Sequence, residues 1–338
     1  MFTINEVYVK ITYLVFLQKN FTSKHSIKPR GKQQSEATRK TLNLLTWFDP
    51  WRSPLCTCPP KLTFNPYTGC DHRCVYCYAS SYIPRFYECR PKKDLLQRLK
   101  REAAKLKGEL VSISNSSDPY PTIEAEACLT RHCLEVLAEC NCRIQIITKS
   151  NIILRDIDLL KRVPSMVALT ITTDNAETAR ILEPFAPPPE ERLKAAERLI
   201  AEGIPVAVRV DPVIPYVNEL PETLVKTLAE IGVRHITAST YKVKLDNWQR
   251  LSLAMPKIAE KLKPLYFERK GEKLGRYIYM PKDLRLRLME NLARLVRKYG
   301  MVFATCREGL RGLNTAATCD GSWLIKGKRS KFLPESAL

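Results

Sequence analysis

The stretch NPYTGCDHRCVYCYASSYIPRF, residues 65–86, sets three cysteines within eight residues and crowds aromatic side chains around them. Written out, it is Cys70-x-x-x-Cys74-x-x-Cys77, with Tyr76 directly before the last thiol and Tyr78 directly after it. A structural metal, disulfides and a reactive cluster are the competing readings. Three thiolates on one short loop reach three corners of a compact cluster. A structural zinc takes four closed ligands, usually from two separated pairs, and a ferredoxin-type cluster takes a fourth cysteine. The next thiol, Cys89, is distant, so a cluster on this loop keeps one iron open. His72, inside the loop, reads as a hydrogen-bonding loop residue rather than a ligand.

Outward from this loop the chain alternates short apolar runs with helical patterns. KDLLQRLKREAAKLK precedes ELVSIS, EAEACLTRHCLEVLAE precedes RIQIIT, DIDLLKRV precedes MVALTITT, PEERLKAAERLIAEG precedes IPVAVRV, and LPETLVKTLAEIG precedes VRHITAS. Repeated β and α units of this length predict a parallel sheet with crossover helices. Successive strand side chains point to opposite faces. Val167, Leu169 and Ile171 therefore oppose Ala168, Thr170 and Thr172, while Ile144 and Ile146 oppose Gln145 and Lys149. Likewise Val206, Val208 and Val210 oppose Ala207, Arg209 and Asp211, and Val111 and Ile113 oppose Ser112, Ser114 and Ser116. A doubly wound sheet buries both faces and favours continuous apolar strands. One greasy and one polar face instead suit an opened barrel with helices outside and a polar lumen inside. Reactive groups of such a fold gather at the carboxyl ends of the strands, and the cysteine loop follows the first candidate strand, KLTFNPY.

The chain has 338 residues, 45% of them hydrophobic and 27% charged, which excludes a disordered or fibrous class. Lys and Arg number 55 against 35 Asp and Glu, a formal charge of +20, so a polyanion such as nucleic acid is a candidate partner beside the plainer reading of a solvated basic surface. Tyr241, Trp248, Tyr277 and Tyr279 interleave with basic residues, as aromatics do on nucleic-acid surfaces and also in helix packing. Twelve cysteines without a convincing secretory leader point to a reducing, cytoplasmic setting. VYVKITYLVFL, near the start, carries Lys10 in its middle and is too short to span a bilayer, so no membrane association is expected. A monomer is the expected state. Residues 1–45 read as a flexible basic arm, 46–240 as the barrel, and 241–338 as a mainly helical C-terminal extension packing on it.

The three-plus-two cysteine spacing with its internal aromatic resembles the signature of radical S-adenosylmethionine (SAM) enzymes. Over roughly Thr41 to Leu324 the chain is similar to the spore photoproduct lyase-like group. The likeness is carried by NPYTGCDHRCVYCYA, DPYPTIEAEACLTRHCLEVL, IITKSNIILRDIDLL, LEPFAPPPEERLKAAERLIAEGIPVAVRVDPVIPYVNE and CREGLRGLNTAATCDGS. The resemblance implies a partial (β/α)6 barrel of the TIM type. It implies a [4Fe-4S] cluster on Cys70, Cys74 and Cys77, with S-adenosylmethionine chelating the fourth iron. One electron from a donor such as a ferredoxin or flavodoxin then splits that cofactor into methionine and a 5′-deoxyadenosyl radical, which abstracts a substrate hydrogen. Tyr76 is placed near the adenine, Ser117 and Asp118 near the amino group, and Lys149 near the carboxylate or ribose. Thr172, with Thr173 and Asp174, is placed near the ribose or carboxylate, and Arg209 as a carboxylate clamp. Each also has a plainer reading: Asp118 and the threonines as caps, Lys149 as a surface lysine, Arg209 as the partner of Asp211.

The match stops at one residue. Spore photoproduct lyase returns a hydrogen atom from a cysteine shortly before the Ser-Asp that ends its second strand, and the aligned position here is Asn115, whose amide cannot do so. True spore-photoproduct repair is therefore not expected. The substrate is left among nucleic acid, protein and small molecules, and a non-enzymatic iron-sulfur or zinc protein is the alternative class. Separately, Cys56 and Cys58 near one end and Cys306 and Cys319 near the other form a candidate second metal site, for zinc or iron-sulfur. Cys133 and Cys140, seven apart, read as core packing, with Cys128 and Cys142 beside them.

Overall fold

The computed structural model describes residues 42–48, 53–268 and 271–325. The expected basic arm lies, up to residue 41, outside the described residues, as does the end of the C-terminal extension. The strands are β1 (Thr46–Trp47), β2 (Leu62–Phe64), β3 (Tyr67–Thr68), β4 (Arg90–Pro91), β5 (Glu109–Ile113), β6 (Cys142–Thr148), β7 (Ser165–Thr170), β8 (Val206–Val213), β9 (His235–Thr240), β10 (Glu272–Leu274), β11 (Tyr277–Tyr279) and β12 (Val302–Thr305). One eight-stranded sheet runs in the order β1-β2-β5-β6-β7-β8-β9-β12. Every neighbouring pair from β2 to β12 is parallel, and β1 lies antiparallel on the edge. The sheet is open, with β2, β5, β6, β7, β8 and β9 side by side in chain order, as a partial (β/α)6 barrel requires. Beyond residue 240 the chain forms helices Leu245–Ala254, Pro256–Lys263 and Lys282–Lys298 and the β10–β11 hairpin, then returns to add β12 beside β9.

The two-faced strands explain where the core sits. Val111, Ile113, Ile144, Ile146, Val167, Leu169, Val208, Val210 and Ile236 all join one apolar cluster under the crossover helices. The helices meet them with residues at three- and four-residue spacing, Leu95, Leu99 and Ala103 in Leu95–Ala103 and Met289, Leu292, Ala293 and Val296 in Lys282–Lys298. Helix Pro189–Ala201 starts with proline at its first position and Glu190 and Glu191 in its first turn, both favourable where free N–H groups point outward. Cys133 is fully buried in this core, as expected of a small apolar residue.

The opposite strand face is polar and partly filled by protein groups. Lys61 Nζ donates to Gln145 Oε1 at 3.0 Å and pairs with Asp320 at 2.6 Å, and the Ser112 hydroxyl donates to the same Gln145 oxygen at 3.0 Å. The segment from Cys319 to Ile325 thus fills part of this face, with Leu324 packed among Met166, Ala168 and Ala207. Gly321 makes the close approach possible: its φ is +80°, and a Cβ there would stand 2.7 Å from that of Ala207.

Candidate active site

The cysteine loop is folded by its own backbone. Gly69 takes φ +85°, and a Cβ on it would lie 2.4 Å from the Phe86 carbonyl, so only glycine allows the turn into Cys70. Cys70 then donates its amide to that same carbonyl at 2.8 Å, and Cys77 donates to the Cys74 carbonyl at 3.1 Å. Helix Leu245–Ala254 grips the loop from outside. Arg250 donates to the carbonyls of Val75 (3.2 Å) and Cys77 (2.6 Å), and Asn247 Nδ2 to that of Tyr76 (3.1 Å).

The three thiols open onto a cavity of about 380 Å³, within the range of roughly 300–1,000 Å³ usual for small-molecule sites. Tyr76, Ser117, Asp118, Lys149 and Arg209 line the same cavity, so the fold brings five more of the expected residues together. Burial raises all three thiols, Cys74 to about 12, and a metal must therefore displace their protons. Asp118 is engaged by the protein: it accepts from the Tyr120 N–H (2.9 Å), the Thr148 hydroxyl (2.7 Å) and the Lys149 N–H (2.8 Å), locking the end of β5 to the end of β6. His72 Nδ1 stands 3.7 Å from the same carboxylate. Arg209 pairs with Asp211 at 2.5 Å, the plainer of its two readings. Pairing of β8 with β9 slips between Val210 and Val213, which turns Asp211 and Pro212 out of the ladder and into the cavity wall.

Thr172 does not line the cavity; it lies behind Tyr76, in a buried network built on Glu183. The Tyr76 hydroxyl donates to Glu183 Oε1, the Thr172 hydroxyl donates to the same oxygen at 2.7 Å, and Lys149 Nζ is 3.9 Å from it. Arg192 pairs with the other carboxylate oxygen and donates to the Thr170 carbonyl at 3.1 Å. Burial works against the Glu183 carboxylate, but Arg192 and Lys149 outweigh it and hold the group down to about 2. Thr173 accepts from the Asn175 N–H at 3.2 Å, a turn-capping role.

Ser114 brings a hydroxyl without a hydrogen-bond partner to the cavity wall. It sits at the end of β5 with φ +65°, unusual for a serine, is 1% exposed, and its hydroxyl faces the cavity with no hydrogen-bond partner. Three thiols, the engaged Asp118 and this free hydroxyl form a donor set that fits an iron-sulfur cluster with a small polar cofactor against it.

The other wall carries Tyr78, Tyr241, Lys242, Tyr277 and Arg307. Lys242 is paired with buried Glu308 at 3.0 Å, and Tyr78 meets Tyr277 edge-on with ring centres 6.0 Å apart. Of the four interleaved aromatics, Tyr241 and Tyr277 reach the cavity, while Trp248 packs on Tyr266 and Phe267 and Tyr279 is buried against Arg285. Of the second cysteine set, Cys58 and Cys306 line the cavity, and Cys319 Sγ lies 3.5 Å from Cys58 Sγ. Ser114, Glu183, Arg192, Asn247, Arg250, Lys242 and Arg307 are the residues sequence reading did not single out. Ser114 has the signal of its place on the polar strand face, and Glu183, Arg192 and Arg307 lie in stretches that carry the family likeness. No helix among the described residues is long and apolar enough to cross a membrane.

An open parallel barrel with three thiols at the carboxyl mouth of its strands sets a candidate cluster site where folds of this type gather their reactive groups. Residues 64–240, more than half of the chain, match the Radical SAM superfamily, and the chain belongs to that superfamily. Membership implies a [4Fe-4S] cluster, S-adenosylmethionine and a one-electron donor. An uncharacterized protein of Mycobacterium bovis is 28% identical over 264 residues, 71% of this chain and 75% of its own length. Another, from Methanocaldococcus jannaschii, is 33% identical over 163 residues, 46% of this chain and 61% of its own. Spore photoproduct lyase complexed with dinucleoside spore photoproduct superposes with a TM-score of 0.60, covering 88% of this chain and 93% of that one at 16% identity, a likeness of fold.

Proposed function

We propose that this chain holds a [4Fe-4S] cluster on Cys70, Cys74 and Cys77, binds S-adenosylmethionine in the adjoining cavity, and abstracts a hydrogen atom from a nucleic-acid substrate. The observation that carries the reading is the shared cavity: three thiols, Ser117, Asp118, Lys149 and the partnerless Ser114 hydroxyl open onto one space. When bound and reduced by one electron, the two groups supply the hydrogen-abstracting chemistry.

The chain's own residues do the rest. Glu183 and Arg192 hold Tyr76 and Lys149 in place, leaving the lysine charged beside a cofactor carboxylate. Asp118 fixes the strand ends, so that the Ser117 and Ser114 hydroxyls face an ammonium or ribose hydroxyl. Tyr78, Tyr241 and Tyr277 exclude water from the far wall and offer ring faces for a base. The formal charge of +20 favours a polyanion, and the fold-mate spore photoproduct lyase is described with a dinucleoside bound. Asn115, whose amide donates to Thr63, is the residue that aligns in sequence with that lyase's hydrogen-donating cysteine, so the outcome on nucleic acid is proposed to be a modification other than spore-photoproduct repair.

Anaerobic reconstitution with dithionite and S-adenosylmethionine tests the reading. The expected result is 5′-deoxyadenosine from the wild type and none from Cys74→Ala. Deuterium transfer from labelled tRNA or damaged DNA into 5′-deoxyadenosine identifies the substrate class. No 5′-deoxyadenosine, with Cys74→Ala holding as much iron as the wild type, overturns the chemistry, and transfer only from a protein or metabolite fraction overturns the substrate.

A further inference from the structure

The cysteine loop is covered on two sides. Its thiols face the cavity, and helix Leu245–Ala254 covers the stretch from Val75 to Cys77 through Asn247 and Arg250. Between Lys61 and Ser80 a single side chain is exposed, that of Arg73. It stands three residues after Cys70 and directly before Cys74, on a backbone with φ +49°, a left-handed conformation that residues other than glycine seldom take up. The loop thus presents one guanidinium to solvent from between two of its thiols.

Arg73 does not stand alone on this face. Its guanidinium lies 5.3 Å from the ring centre of Phe185 and 6.0 Å from that of Tyr87. Phe185 is 60% exposed, yet it is held on the loop, since its N–H donates to the His72 carbonyl at 3.3 Å. Tyr87 follows Phe86, whose carbonyl anchors Cys70, and the same stretch brings Arg85 and Arg90. Both of these arginines contact Glu88, at 3.2 and 3.7 Å, while among the described residues no carboxylate pairs with Arg73. Three guanidiniums therefore stand against the one carboxylate that pairs with them. Arginine and exposed aromatic side chains together are the composition of a protein contact rather than of a merely solvated surface.

We propose that Arg73 and Phe185, with Arg85 and Arg90 beside them, form the docking face for a small acidic one-electron carrier protein. The inference rests on the proposed cluster, for which superfamily membership implies an electron donor. Such a carrier cannot enter by the cavity, which the proposed cofactor and substrate occupy, and helix Leu245–Ala254 blocks the flank from Val75 to Cys77. The Arg73 face is the approach left open. One electron crosses it: a flavin hydroquinone anion on the carrier becomes the neutral semiquinone, and the cluster gains that electron. Opposite charge steers the encounter. Electron-transfer contacts of this kind are small, burying less than about 1,200 Å² in total, which lets the carrier leave again.

Stopped-flow reduction of the anaerobically reconstituted full chain by flavodoxin hydroquinone, with dithionite as the small reductant, is the test. Both should reduce the wild type, and the flavodoxin rate should fall as salt is raised. Arg73→Glu should slow flavodoxin by about tenfold or more and flatten its salt dependence, while iron content and the dithionite rate stay at wild-type values. Phe185→Glu, outside the cysteine loop, should do the same, and it decides the matter if Arg73→Glu loses its cluster. Calorimetric titration with oxidised flavodoxin, in which no electron moves, should show weaker binding by both variants. Wild-type flavodoxin rates in the variants, a wild type that dithionite reduces and flavodoxin does not, or equal slowing with both reductants would each overturn the docking face. A wild type without a cluster that dithionite reduces would sink the proposed function and this inference with it, so the two failures are distinguishable.

Discussion

The guanidinium of Arg250 donates to the carbonyl of Cys77 at 2.6 Å and to that of Val75 at 3.2 Å, clamping the cysteine loop from a helix 173 residues beyond Cys77. Hydrogen bonds from a charged donor contribute about 1.5–3 kcal/mol each. Arg250→Ala should therefore leave the barrel folded but loosen the loop, and iron release to a chelator should speed up by about tenfold or more. Arg250→Lys should rescue only part, because a point charge cannot span both carbonyls. Release at the wild-type rate from Arg250→Ala would remove the clamp from the account.

Glu183 contributes to the pH dependence of the site, beside Asp211 and Asp320. Its carboxylate is held to about 2 when folded against an ordinary 4.5, a depression that contributes stability above the unfolded value and loses it as pH falls through the folded one. The gap corresponds to about 3 kcal/mol. Chemical denaturation of the apoprotein should show stability falling between roughly pH 5 and 2, and Glu183→Gln should be less stable at pH 7 with that slope flattened. An unchanged slope in the variant would assign the acid sensitivity to other carboxylates.

How much of this was legible in the sequence depends on range. The cysteine loop is local, its spacing is fixed within eight residues, and the strand alternation is a period-two pattern; both read directly from the chain. Lys149 and Asp118 line the cavity, a position that strand ends and face parity locate. The roles of Glu183 and Arg250 are not legible in the sequence, since Glu183 just past a helix end and Arg250 within a helix meet their partners only through the tertiary fold. Thr172 lies behind Tyr76 for a related reason: parity gives its side of the sheet, but the position of Tyr76 in front of it depends on the loop. The addition of β12 beside β9 was hidden too, because VFAT is a four-residue run that periodicity cannot tell from the end of a helix.

Gly69 offers a prediction on backbone alone. Any side chain there faces both a left-handed φ and a carbonyl at 2.4 Å, and such strain costs of order 1–3 kcal/mol before the steric clash is counted. Gly69→Ala should displace Cys70 from the Phe86 carbonyl and reduce iron incorporation sharply while helical circular dichroism is retained. Full iron loading in that variant would show that the turn tolerates a Cβ.

The Lys61–Asp320 pair tests whether the segment after residue 318 is a structural part of the barrel. Both side chains are almost fully buried, they meet at 2.6 Å, and Gln145 completes the lysine's contacts. Removing one partner leaves a buried charge with no counter-charge, which costs about 3–5 kcal/mol, whereas replacing both with apolar groups of similar volume is close to neutral. Asp320→Asn and Lys61→Met should each lower the unfolding midpoint strongly, and the Lys61→Met/Asp320→Leu double variant should recover most of the loss. The non-additivity is the informative quantity, because independent surface charges would give the sum of the single effects. A double variant as unstable as that sum would mean that the segment docks through Leu324 and its apolar contacts alone, with the ion pair incidental.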